Sequence, residues 1–116
     1  MGFNELESDI LKWYAVNFPS VELREQLAKA VFTRREYTKV GFYVYFEVPK
    51  DSRPLRSTDI TGVFTDGPVI KSPALQHGAE VMLWANTSKR VNCLEIIAFA
   101  GDFPEVLDEY ELKAKA

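Results

Sequence analysis

The chain has 116 residues, of which 47% are hydrophobic and 27% charged, and a net charge of −3. That is material for one domain with a substantial core, and it excludes intrinsic disorder. The mild acidity, with Lys and Arg spread along the chain, lacks the basic footprint of a nucleic-acid binder. No apolar run approaches the roughly 18 residues of a membrane span, so neither nucleic acid nor membrane is expected as a partner.

The first element carries its own start signal. Asn4 followed three residues later by Glu7 is an Asn form of the capping box. Leu6, Ile10, Trp13 and Tyr14 then recur at helical spacing, predicting a helix over about 4–16 that Asn17-Phe18-Pro19 ends. Ser20 caps a second helix, expected over about 20–31, with Leu23, Leu27, Ala30 and Val31 on its apolar face.

From Phe32 the period becomes that of a strand. Phe32 to Tyr37 reads as a polar, edge-like strand leading into the run Val40 to Val48. In that run Val40, Phe42, Val44, Phe46 and Val48 take one face, and Tyr43, Tyr45 and Glu47 the other. Pro49 stops the pairing because it has no N–H to donate. Lys50 to Asp59 is polar throughout and is expected as a loop, with Ile60 to Thr65 as a strand ending at the turn Asp66-Gly67-Pro68. Gly41 and Gly62 are expected at bulges or close backbone approaches inside strands.

Val69-Ile70-Lys71 predicts a short strand and Ser72 to Gly78 a connection. Ala79 to Ala85 and Val91 to Phe99 then form a hairpin around Asn86-Thr87-Ser88-Lys89-Arg90. With Ala85 near Asn92, Val81, Leu83, Leu94 and Ile96 share one face. Glu80, Met82, Trp84, Cys93, Glu95, Ile97 and Phe99 share the other, so both faces carry large apolar groups, against the usual alternation of a half-solvated hairpin. After the turn Gly101-Asp102-Phe103-Pro104, the tail suits either a short helix from Glu105 or an edge strand over Tyr110 to Lys113.

The chemistry-bearing residues are few. His77 is the sole histidine and has no second His or Cys at ligand spacing, so a surface role is expected and no metal or other cofactor. Cys93 is the only cysteine, which rules out an intrachain disulfide, and its apolar strand setting predicts a buried, unreactive thiol. The opening Met1-Gly2-Phe3-Asn4 reads as neither a secretory leader nor a myristoylation start, and a cytoplasmic protein is expected. Glu47 and Glu95 lie on different strands and could form a carboxylate pair across a sheet face, although exposed strand acids are the commoner outcome. The glycines fit neither a phosphate loop nor a dinucleotide fingerprint.

Two features stand out as candidate binding surfaces. One is the aromatic row of Tyr43 and Tyr45, together with Trp84 and Phe99 if these share its face, with Glu47 and Glu95 as its polar members; covering by the N-terminal helices is its simplest explanation. The other is the basic loop Lys50, Arg53 and Arg56, suited to an acidic partner. The strand Gly41-Phe42-Tyr43-Val44-Tyr45-Phe46-Glu47-Val48-Pro49, the hairpin ending in Leu94-Glu95 and the turn Gly101-Asp102-Phe103-Pro104 resemble those of small bacterial proteins of unassigned function, over roughly residues 38–112. That resemblance implies no activity and gives no residue a role; some small acidic bacterial α+β proteins serve as immunity proteins for toxins, to which the chain is similar only by class.

The expected architecture is therefore a single α+β domain over 1–116, a helical hairpin packed on an antiparallel sheet of about five or six strands spanning about 32–113. The expected function is a non-enzymatic protein-interaction module, self-associating as a homodimer or binding another protein. The alternative is a small-molecule or minor enzymatic site in a pocket between helices and sheet, near Trp13, Tyr43, Tyr45 and Trp84 with Glu47 or Glu95 supplying polarity.

Overall fold

The computed structural model describes residues 2–115. Along the chain run α1 (Glu5–Asn17), α2 (Val21–Ala28), β1 (Val31–Tyr37), β2 (Gly41–Glu47), α3 (Ser57–Thr65), β3 (Val69–Ser72), β4 (Leu75–Ala85), β5 (Val91–Ala98) and β6 (Glu111–Lys113). The six strands form one sheet in the order β1-β2-β5-β4-β3-β6, antiparallel at every pairing. The protein is an α+β fold with its helical hairpin laid on one face of the sheet.

Both N-terminal helices start where side chains can satisfy backbone donors. Asn4 accepts from the Glu7 N–H at 2.8 Å and Glu7 returns the bond to the Asn4 N–H at 3.0 Å, the reciprocal capping box. Ser20 accepts from the Leu23 N–H at 3.1 Å. The second helix is shorter than its pattern suggested: it ends at Ala28, and Val31 opens β1 instead of extending the helical face.

Leu6, Ile10 and Tyr14 of α1 and Leu23 of α2 lie in one buried cluster with Phe42, Val44 and Phe46 of β2, Val81 and Leu83 of β4, and Leu94 and Ile96 of β5. Each fully buried side chain of this size contributes about 1.5–3 kcal/mol. The β4–β5 register follows the expected one: Val81 opposes Ile96 and Leu83 opposes Leu94, with a shift only at Ala85, which meets Val91. Asn86 holds the turn, its Oδ1 accepting from the Ser88 and Arg90 N–H groups at 3.0 and 3.1 Å.

Three expectations need correction. Residues 57–65 form α3, not the end of a loop followed by a strand. Strand β3 pairs with β4 only as far as Val69 opposite Glu80, which would leave the edge of β4 bare from Val81 onward. The third helix packs against β4, with Val63 fully buried and Phe64 against Trp84. Covering a bare edge settles the conformation of a segment whose β-branched residues favour strand. Gly62 accordingly sits in a helix, whereas Gly41 does mark a close approach: a Cβ there would lie 1.8 Å from the Ile96 carbonyl oxygen. Finally, β4 begins at Leu75, so Ser72 to Gly78 is mostly strand after a tight Pro73-Ala74 turn. The tail adopts the edge-strand alternative, tied back by Tyr110, whose hydroxyl lies 2.6 Å from an Asp9 carboxylate oxygen.

Candidate functional site

The strand register defines the face of the sheet that the N-terminal helices do not touch. One row across it reads Arg34, Tyr45, Cys93, Trp84; the next reads Glu36, Tyr43, Glu95, Met82. A third reads Gly41, Ile97, Glu80, Val69, Lys113. Side chains alternate across a strand, so these residues point away from the Phe42, Val44 and Phe46 face that α1 and α2 bury. The apolar surplus of the β4–β5 hairpin thus divides into a covered core and an uncovered, aromatic-rich face.

The covering expected for the aromatic row does not occur. Tyr43 and Tyr45 are half-buried by their neighbours and by each other, their rings stacked at 6.3 Å, and Trp84 keeps 42% of its surface exposed. Phe64 braces one side of the Trp84 indole at 4.4 Å between ring centroids. The Arg34 guanidinium lies 4.1 Å over the Tyr45 ring, a cation–π contact at the rim. Glu95 stands among these rings and accepts a hydrogen bond from the Trp84 indole N–H at 3.0 Å. Its negative charge raises the Tyr43 phenol above its ordinary value. Cys93 forms the floor between Tyr45 and Trp84; burial, and then the charge of Glu95, push its thiol up to about 11. At neutral pH it is a protonated packing group and not a nucleophile.

The predicted site residues therefore divide. Tyr43, Tyr45, Trp84 and Glu95 come together on the open face. Glu47 lies at the end of β2 on the same face and, with Lys50 and Tyr45, lines a groove of about 880 Å³ that also includes Arg34 and Arg90. The basic loop is not a free cationic surface. Arg53 grips Glu25 through two bonds of 3.0 and 2.7 Å, and Arg56 lies 3.6 Å from Glu22. These two charges fasten the loop to α2, and Lys50, exposed like both arginines, is the member of the set with no ion pair among the described residues.

The pocket imagined between helices and sheet does not join its residues either. Trp13 packs on Tyr14 and Phe18 on the helical side, while Tyr43, Tyr45 and Trp84 point to the other side of the sheet. His77 is exposed on β4, beside a shallow depression that also involves Glu109 and Tyr110. Among the described residues no group of three or more His, Cys, Asp or Glu side chains is placed to hold a metal ion. No described helix is long and apolar enough to cross a membrane.

Sequence reasoning put Met82 and Ile97 on the same face as Trp84 and Glu95, and it missed Arg34 and Glu36 on β1. Alternation alone did not place them, because a register shift between Phe32 and Arg34 sets Arg34 opposite Tyr45 while Phe32, of the same parity, opposes the core residue Phe46. Comparison with protein-family models, with curated proteins and with solved structures gives no match for this chain.

Proposed function

We propose that the chain is a non-enzymatic protein-interaction module that takes its partner on the uncovered face of the sheet. The observation that supports this reading is the row Tyr45, Cys93, Trp84 beside Tyr43, Glu95, Met82, a contiguous aromatic and apolar patch that, among the described residues, α1 and α2 leave uncovered and α3 meets at one edge, through Phe64 against Trp84. Such patches, rimmed by charge, mark interaction sites on soluble proteins, and Tyr, Trp and Arg are the residues on which interface energy concentrates. The sheet edges are poorer candidates. Strand β1 carries a register shift and exposed Arg34 and Glu36, and β6 has three residues, both of which discourage strand addition.

A photo-crosslinking amino acid at Tyr45, expressed in the source cells, tests the reading. A discrete protein adduct is expected from position 45 and none from Val16, an exposed position on α1. No adduct at 45, or equal adducts at both, overturns it.

Self-association is a second reading, favoured by the mixed charge of the rim. Arg34 and Glu36 border the patch on one side, and Glu80 and Lys115 on the other. Two copies stacked on this face would bring unlike charges together while drying both Trp84 side chains. Sedimentation velocity over a wide concentration series tests it, with Trp84→Ala as the interface variant. A bacterial, cytoplasmic setting, with an immunity-like partnership as one form of the role, agrees with the mild acidity.

A further inference from the structure

Two carboxylates of the open face, Glu47 and Glu95, have no ion-pair partner among the described residues; Glu47 is exposed at the end of β2, and Glu95 is central and partly buried. Glu36 pairs with Arg34 at 3.4 Å, Glu80 with Lys115 at 3.4 Å and Glu111 with Lys113 at 3.5 Å. Glu95, the most central of them, forms no ion pair among the described residues. It is partly buried, between Tyr43 on β2 and Met82 on β4, and the groups that meet it on the face, the Trp84 indole N–H at 3.0 Å and the Tyr43 phenol, are neutral and fix the carboxylate without neutralising it.

An uncompensated, partly desolvated carboxylate ringed by aromatic side chains is a poor place to leave empty and a good place for a cation. The carboxylate supplies a charge-assisted hydrogen bond, and the ring faces of Tyr43 and Trp84 add quadrupole attraction. The surface already performs half of this chemistry in the neighbouring row, where Arg34 lies over Tyr45. Accepting the open face as the partner site, we infer that the partner enters with a basic segment, seating a Lys or Arg side chain against Glu95 between Tyr43 and Trp84. The net charge of −3 favours encounter with such a segment.

The test follows the indole N–H resonances of the full-length protein by NMR during titration with a short alternating Gly-Arg peptide. Its citrulline analogue, of equal shape and no charge, is the control ligand. The Trp84 resonance is expected to shift saturably while that of Trp13, on the other side of the sheet, stays still. The citrulline peptide, and Glu95→Gln titrated with the Gly-Arg peptide, are each expected to bind about tenfold more weakly. Gln still accepts the Trp84 bond, so an unchanged melting temperature separates lost charge from lost fold. Equal binding of the two peptides, or unimpaired binding by Glu95→Gln, overturns the cation seat while leaving the open face as a docking surface. No movement of Trp84 with either peptide also overturns it, and the adduct at position 45 then decides the docking surface separately. Dimers that persist unchanged in Glu95→Gln would name a second copy as the occupant and overturn the basic segment.

Discussion

The Trp84 indole N–H and the Glu95 carboxylate meet at 3.0 Å across the pairing of β4 with β5, and this contact organises the exposed side of the sheet. Glu95 is also the direct neighbour of Tyr43 on β2, so one carboxylate touches the chemistry of two aromatic side chains. A negative charge beside a phenol makes the phenolate costlier, which is why Tyr43 titrates above its ordinary value. Glu95→Gln is therefore expected to lower the Tyr43 pKa toward the ordinary value of about 10. Residue-resolved NMR titration checks this, with Tyr110 as the internal control because its rise comes from burial and Asp9. A Tyr43 titration that does not move would remove the electrostatic coupling on which the cation seat depends.

A second charged relationship holds the opposite side of the sheet. The Arg35 guanidinium grips Glu7 through Nε to Oε2 at 2.5 Å and Nη2 to Oε1 at 2.6 Å, and the Glu7 side chain is only 2% exposed. Glu7 also closes the capping box, so α1 is joined through one carboxylate to its own start and to edge strand β1. Arg35→Met would leave that buried carboxylate without its cation, at a cost of about 3 kcal/mol. Chemical denaturation should show this loss, and Glu7→Gln with Arg35→Met together should cost less than the two separate losses added. Additive losses would mean that the pair is not coupled.

The legibility of the fold follows where local and tertiary preferences agree. Asn4 with Glu7, and Ser20, announce helices that also have apolar faces to bury, and the alternation of Val40 to Val48 leaves only one inward set. The β4–β5 register was readable because a one-residue slip would turn Val81, Leu83, Leu94 and Ile96 outward. The third helix was not readable by propensity, since Thr58, Ile60, Thr61, Val63, Phe64 and Thr65 are strand formers. Its available signal was the spacing of Ile60, Val63 and Phe64 at i, i+3 and i+4. What decided it was the bare edge of β4, a tertiary fact. The same kind of fact separated the site residues: parity put Tyr43, Tyr45, Trp84 and Glu95 on one face, but only the packed helices reveal which face stays open. Nor could sequence spacing show that Glu22 and Glu25 would claim Arg56 and Arg53.

Gln26 is a further case of a polar group acting through tertiary contacts. It is fully buried on α2, donating to the Arg53 and Lys89 carbonyl oxygens at 2.8 and 3.3 Å and accepting from the Val91 N–H at 2.9 Å. One side chain thus satisfies backbone groups in the loop after β2, in the β4–β5 turn and at the start of β5. Gln26→Leu keeps the volume but strands those groups, and is expected to cost about 3 kcal/mol. Urea denaturation measures the cost. Limited proteolysis should show earlier cleavage in the segment around Arg53. A loss below about 0.5 kcal/mol, within the range of ordinary surface substitutions, would show that these bonds are replaceable.

Tyr14 predicts how the core responds to alkali. It is fully buried on α1, its hydroxyl has no hydrogen-bond partner among the described residues, and a Cβ on Gly67 would lie 2.2 Å from that oxygen. Burial, and secondarily the charge of Asp66, raise its pKa well above the ordinary value. The sign follows directly. Above about pH 10 the unfolded chain releases the Tyr14 proton while the folded chain retains it. The contribution of the protonated phenol is thus complete below about pH 10 and is lost as pH rises toward the higher folded value. Tyr14→Phe removes this proton linkage and should flatten the alkaline loss of stability by up to about 1.4 kcal/mol per pH unit. At neutral pH the same variant should be close to neutral, because it removes a buried hydroxyl that no protein group satisfies. Denaturation curves of parent and variant at neutral pH and at a series of values above pH 10 check both statements. Parallel stability profiles through that series would show that Tyr14 releases its proton as easily folded as unfolded.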